Sequence, residues 1–151
     1  MTSEIFQFIV ESNRIENIFT EPTSQQIKRF KDFIYYDDIS VSDIEDLIAV
    51  FEPRAYLRDR IGMDVRVGKY YPPRGGPHIR EKLVYLLDSD LDAYNLHCEY
   101  EKLHPFTDCN GRTGRALWAW KHKDLSLGFL HKFYYQSLEN YRNCNEKSDC
   151  C

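Results

Sequence analysis

Six prolines, at positions 22, 53, 72, 73, 77 and 105, cut the chain into segments in which apolar residues recur every three or four positions. Proline lacks a backbone donor and clashes with the preceding helical turn, so no regular helix runs through those points. The chain is therefore expected to fold as several short amphipathic helices with tight connections. Ile5, Phe8, Ile9, Ile15 and Ile18 mark the first, from about Ser3 to Ile18, which Glu21-Pro22 stops. Thr23 or Ser24 can cap a second through Ile27, Phe30, Phe33 and Ile34, and Ser42 or Asp43 a third through Ile44, Leu47, Ile48 and Phe51. Helical spacing returns with Ile79, Leu83, Leu86 and Leu87, and again with Leu91, Tyr94, Cys98 and Leu103, running into Pro105. Two more helices follow, through Arg115, Leu117, Trp118 and Trp120, and through Phe129, Leu130, Phe133, Tyr134, Leu138 and Tyr141. Trp118 and Trp120, two residues apart, diverge on a helix, so one is expected in the core and the other partly exposed.

Between Arg54 and Pro77 the period changes. Tyr56–Arg60 and Val65–Tyr70 alternate in part around Gly62, which predicts a β-hairpin, and Pro72-Pro73 and Gly75-Gly76-Pro77 make a turn-rich exit. The fold class expected is all-α with one β-hairpin. At 151 residues the chain is sized for one domain that buries about 70% of its unfolded surface. A formal charge of −4 and a pI near 5.7 argue against a nucleic-acid partner. No apolar run approaches the roughly 20 residues of a membrane span. Residues 1–20 carry Glu4, Glu11 and Glu16, unlike a signal peptide. Five cysteines without C-x2-C spacing fit a reducing, cytoplasmic setting better than a zinc site, and the polar stretch 143–151 is expected to fray. The mixed charges from Arg54 to Arg66 read as solvated surface, and His97 as a structural hydrogen-bonding group.

The densest chemistry lies in His104-Pro105-Phe106-Thr107-Asp108-Cys109-Asn110-Gly111-Arg112-Thr113-Gly114-Arg115. If Asn110-Gly111 opens a helix, its N–H groups and positive dipole end form an anion site. Arg112 and Arg115 share a face of the first turn and can grip two phosphoryl groups. Asp108 offers a hard oxygen ligand beside them, suited to Mg2+ arriving with a nucleotide. His104 is the one group here whose ordinary pKa near 6.5 suits proton abstraction at neutral pH.

This run resembles the Fic (Fic/Doc) family motif HPFx[D/E]GNGRxxR, with His104, Pro105, Phe106, Asp108, Asn110, Gly111, Arg112 and Arg115 matching. Coincidence at eight specified positions is on the order of one in 10^8. The segment Tyr56–Pro77 is similar to the family's flap, His97 and Glu101 to the helix entering the motif, and Phe133–Leu138 to its closing helix, so 90–142 stands as the catalytic core. The resemblance implies transfer of AMP from ATP to a Ser, Thr or Tyr hydroxyl of a target protein, with an extended target segment added to the flap. His104 would be the general base and Asp108 the Mg2+ ligand. Asn110 and Gly111 would contribute to the anion hole, Arg112 and Arg115 would bind the β- and γ-phosphates, and Phe106 would anchor the loop. Self-association is left open. Cys109 departs from the motif, which usually has glycine there, and a Cβ at φ > 0 costs roughly 1–2 kcal/mol.

Ser12-Asn13-Arg14-Ile15-Glu16-Asn17 fits [S/T]xxxE[G/N] and resembles the family's inhibitory helix in its N-terminal placement. The implication is that Ser12, Glu16 and Asn17 form an inhibitory element in which Glu16 pairs with Arg115 and keeps the γ-phosphate out. Two other activities remain alongside the transferase: a de-AMPylating hydrolase, and a nucleotide-binding or interaction module without turnover.

Overall fold

The computed structural model describes residues 2–132. Six helices run in order: α1 Thr2–Ile15, α2 Ser24–Tyr35, α3 Val41–Phe51, α4 Pro77–Leu87, α5 Ala93–Leu103 and α6 Asn110–His122. The chain is helical again over 127–132. The fold is all-α, and no described helix is long and apolar enough to cross a membrane. The expected continuation of the last helix through Phe133–Leu138 and Tyr141, and the tail 143–151, lie outside the described residues.

Local chemistry sets most boundaries. Thr23 caps α2 in a reciprocal box with Gln26, its hydroxyl taking the Gln26 N–H while the Gln26 side chain takes the Thr23 N–H. Helix α3 starts earlier than its apolar periodicity suggests. Its cap is Ser40 rather than Ser42 or Asp43, because Asp43 sits at the third helical position and closes the same kind of box. Pro77 opens α4 at a position where a missing N–H costs nothing, and Asp92 caps α5 through the Asn95 N–H at 2.8 Å.

Helix α6 lies at the centre, packed chiefly on α5 and α2 and touched by α1 and α3. It is consequently buried around its circumference from Thr113 to Trp120. That corrects the expectation for the tryptophans: both are buried, since a central helix has no solvent side. Trp118 stacks on Phe129 at 3.8 Å, and the Trp120 indole donates to the Tyr36 carbonyl at 2.8 Å. Helix α1 joins this core through Ile5, Phe8 and Ile9, each at most 1% exposed, with Phe8 against Phe30 at 5.5 Å.

The predicted hairpin is also corrected. Segments 56–60 and 65–70 do not pair with each other; Leu57 forms an antiparallel bridge with Phe106, and Val67 pairs with Tyr70 across a two-residue turn. The reason is the motif loop, which offers the first segment a better partner. Arg58 N–H donates to the Pro105 carbonyl at 2.8 Å and Thr107 N–H to the Tyr56 carbonyl at 2.8 Å. The flap is therefore stitched to the loop rather than closed on itself.

Two helical glycines make opposite predictions. A Cβ on Gly114 of α6 would strike Glu101 Oε1 and lie 3.2 Å from His97 Nδ1, whereas one on Gly128 would meet nothing within 4 Å. Gly114→Ala should therefore lose about 1–2 kcal/mol despite its better helix propensity, and Gly128→Ala should gain about 0.5–1 kcal/mol. Thermal melts of the two variants should move in opposite directions.

Candidate active site

Helix α5 ends on His104, whose own backbone is left-handed, φ 50° and ψ 59°. Pro105 after it disfavours the right-handed helical conformation, so the chain turns sharply. The His104 ring is partly buried, and its Nδ1 lies 3.3 Å from the Glu101 carbonyl. A carbonyl only accepts, so the proton sits on Nδ1 and Nε2 keeps its lone pair. Burial lowers the His104 pKa and Arg58 acts the same way, while the Glu101 carbonyl, Glu16 and Asp108 oppose them. The net shift favours the neutral imidazole, the form able to accept a proton.

From His104 the loop is pinned at Phe106, which is 1% exposed. Asn110 clasps the Phe106 backbone from both sides, accepting its N–H at 3.0 Å and donating to its carbonyl at 2.8 Å. Both ends of the Asn110 amide are thus spent on the loop, and any contact it makes with an anion runs through its backbone N–H. Asp108 remains exposed, with one oxygen accepting the Cys109 N–H at 2.6 Å.

Cys109 adopts φ 66° and ψ 14°, the left-handed region. Glycine reaches that conformation freely, and cysteine is strained there by about 1–2 kcal/mol. The thiol is buried with its pKa raised by desolvation, and it packs 4.0 Å from the Thr113 hydroxyl. The turn delivers α6 with no side-chain cap, and the first N–H it commits inside the helix is that of Thr113, to the Cys109 carbonyl at 3.1 Å. The N–H groups of Asn110, Gly111 and Arg112 precede it at the positive end of the helix, an arrangement suited to anions.

Arg115 does not stand beside Arg112 reaching outward. It is 3% exposed and turned toward α1, where Nε donates to Ser12 Oγ at 2.8 Å and Nη2 to the Ser12 carbonyl at 3.1 Å and Glu16 Oε1 at 2.8 Å. Gly111 makes the approach possible, because a Cβ there would sit 2.5 Å from Glu16 Oε1 and 3.0 Å from Arg115 Nη1. Asn17 contributes through its backbone. At φ 59° it ends α1 in a Schellman turn, with Ile18 N–H on the Asn13 carbonyl and Asn17 N–H on the Arg14 carbonyl, which leaves Glu16 projecting past the last helical residue. Arg112 Nε and Asn13 Oδ1 are buried without hydrogen-bond partners among the described residues, and both residues line a cavity of about 10 Å³, room for one water.

The model of the Fic/DOC family matches residues 22–120, about two thirds of the chain. The chain belongs to the Fic/DOC family. No curated protein and no solved structure gives a significant match. Within this Fic/DOC domain the matched span takes in α2 to α5, the flap, the motif loop and α6 as far as Trp120. Helix α1, with Ser12, and the turn after it, with Glu16 and Asn17, precede it.

Residues to which the sequence pattern assigned no part in the site also shape this Fic/DOC domain. Arg58 belongs to the charges read as solvated surface, yet it is fully buried and gives its guanidinium to four backbone carbonyls. No local signal distinguishes it from its exposed neighbours. His97 and Glu101, one turn apart on α5, face Gly114 of α6. Desolvation pushes His97 down to about 4 and Glu101 up to about 8. Arg115 pulls Glu101 back down and Glu16 pushes it further up.

Among the described residues no group of three His, Cys, Asp or Glu side chains is placed to hold a metal. Asp108 alone is a fit only for an ion that brings phosphate oxygens with it, the way Mg2+ is commonly bound.

Glu101 sets a pH dependence. Its folded pKa, about 8, exceeds the ordinary 4.5, so the native state holds a proton that the unfolded chain releases between those values. That contribution to stability is complete below pH 4.5 and fades as pH rises through 8. Glu101→Gln stays neutral throughout, and its melting temperature should fall less than that of the parent between pH 6 and 9.

Proposed function

We propose that the protein is an adenylyltransferase that moves AMP from ATP to a hydroxyl of a target protein and is held in check by Glu16. The observation that carries this reading is the joint placement of His104 with its Nδ1 against the Glu101 carbonyl, an uncapped α6 N-terminus and an Arg115 engaged by Glu16. ATP would lie with its phosphates at the N–H groups of Asn110, Gly111 and Arg112. Arg112 would hold the β-phosphate and Arg115 the γ-phosphate by charge-assisted hydrogen bonds. Asp108 would hold a Mg2+ arriving with ATP, which supplies charge neutralisation at the phosphate oxygens.

The target hydroxyl would give its proton to His104 Nε2 as its oxygen bonds to the α-phosphorus. The bond from that phosphorus to the bridging oxygen of the β-phosphate breaks, and pyrophosphate leaves. The flap presents exposed Tyr56, Ile61, Val67 and Tyr71 beside the loop, a surface against which an extended target segment can lie.

In the form described, Glu16 occupies Nη2 of Arg115, so one anion excludes another. Truncating Glu16 leaves Arg115 with its two bonds to Ser12 and exposes a cation to the γ-phosphate. Glu16→Gly should transfer label from α-labelled ATP to protein at least ten-fold faster than the parent, and adding His104→Ala should bring the signal to background. Label transfer equal in Glu16→Gly and Glu16→Gly/His104→Ala would remove the adenylyltransferase reading. Faster release of AMP from a modified target by the parent than by Glu16→Gly would instead favour the hydrolase.

A further inference from the structure

Arg58 is a fully buried cation that no step of the transfer uses. Its Nε donates to the His104 carbonyl at 2.7 Å and its Nη2 to the Leu103 carbonyl at 3.0 Å. Its Nη1 donates to the Met63 carbonyl at 3.1 Å and the Pro73 carbonyl at 2.8 Å. The first pair of acceptors closes α5 at the base; the second pair lies on the two limbs of the flap, before and after the Val67/Tyr70 turn. Its backbone joins the same parts, with N–H on the Pro105 carbonyl and carbonyl on the Gly76 N–H at 3.0 Å.

We propose that Arg58 is the positioning residue for His104, selecting its left-handed backbone through the His104 carbonyl and locking the base to both limbs of the flap. This rests on the assignment of His104 as base. The physical reason lies in the choices left to a residue before proline. With the right-handed region disfavoured, His104 can be extended or left-handed. An extended His104 would turn its carbonyl away from Arg58 and carry the ring off its contact with the Glu101 carbonyl. Two hydrogen bonds from a rigid guanidinium fork decide between the two, and the same fork requires the flap limbs to be in place. Lysine has one nitrogen where the fork has three and cannot reach four carbonyls in two directions. Docking of a target on the flap would therefore be felt at the base.

Electrostatics offers an independent reading of the arrangement. Among the described residues the charged groups acting on His104 are Arg58 from the flap, Glu16 from beyond the end of α1 and Asp108 from the motif loop, with the Glu101 carbonyl of α5 at its Nδ1. Arg58 lowers the His104 pKa.

The test uses the full chain with Glu16→Gly as background. Arg58→Lys, checked by circular dichroism and melting, should lower kcat ten-fold or more while the KM for ATP stays within two-fold. Arg58→Gln, followed by NMR titration of the His104 imidazole, should move its midpoint upward by removing the cation. Asp64→Ala loosens a flap limb with Arg58 intact, since Asp64 accepts the Gly75 N–H at 2.9 Å. It should lower kcat in the same pattern, and it decides the matter if neither Arg58 variant folds. Undiminished kcat in folded Arg58→Lys, equal losses in kcat and ATP binding, or an unmoved His104 midpoint in Arg58→Gln would each overturn the assignment. So would an Asp64→Ala enzyme indistinguishable from the background. If Glu16→Gly itself transfers no AMP, the reaction is wrongly assigned, and the imidazole titration, which needs no turnover, still decides what Arg58 does.

Discussion

The site depends on how the C-terminal end of α5 is closed. The last carbonyls of a helix have no partner within it and carry the negative end of its dipole, and leaving them buried costs free energy for each one. Arg58 answers both needs, bringing a positive charge and hydrogen bonds to the Leu103 and His104 carbonyls. Everything downstream follows from this closure. The loop leaves at a fixed angle, Phe106 drops into the core, Asn110 clasps it, and Cys109 turns the chain into α6. The end of one helix and the start of another are thereby held on opposite sides of one short loop.

Two left-handed residues bracket that loop, His104 and Cys109. Each is strained by itself, and each persists because its neighbours over-determine it, as strained residues at functional sites commonly do. At His104 the constraint comes from Pro105 and Arg58. At Cys109 it comes from the Asn110 clasp on one side and the hydrogen bonding of Thr113 to the Cys109 carbonyl, from both N–H and hydroxyl, on the other. Glycine at this position would relax the strain, so this chain carries a cost that glycine would avoid and packs the thiol in the turn instead.

Much of this was legible in the sequence. Helix count, order and all-α class follow from apolar spacing and proline positions, and the His104–Arg115 run carries the residues that point to the Fic/DOC family. The juxtaposition of Glu16 with Arg115 was readable only through resemblance, because nothing in a hexapeptide specifies a contact across 99 positions. The burial of Arg58 and of Glu101 was illegible for a different reason. A buried charge has the same letter as an exposed one, and only the three-dimensional arrangement of backbone carbonyls or a facing glycine tells them apart. The hairpin failed because alternation reports that a segment is extended and is silent on its partner, which turned out to be Phe106.

Helix α1 is no loose strap. Burying Ile5, Phe8 and Ile9 is worth roughly 5–9 kcal/mol by area transfer, against about 1–3 kcal/mol for one charge-assisted hydrogen bond from Glu16. A wholly detached α1 would exist in on the order of one molecule in 10^4 or fewer, whereas a Glu16 side chain swung off Arg115 is far commoner and forms on the ps–ns scale of rotamer changes. Under the proposed function, the Glu16 contact would then be a leaky brake. Its resting rate would be set by a side-chain equilibrium that rising nucleotide concentration could itself tilt, without any part of the core coming apart.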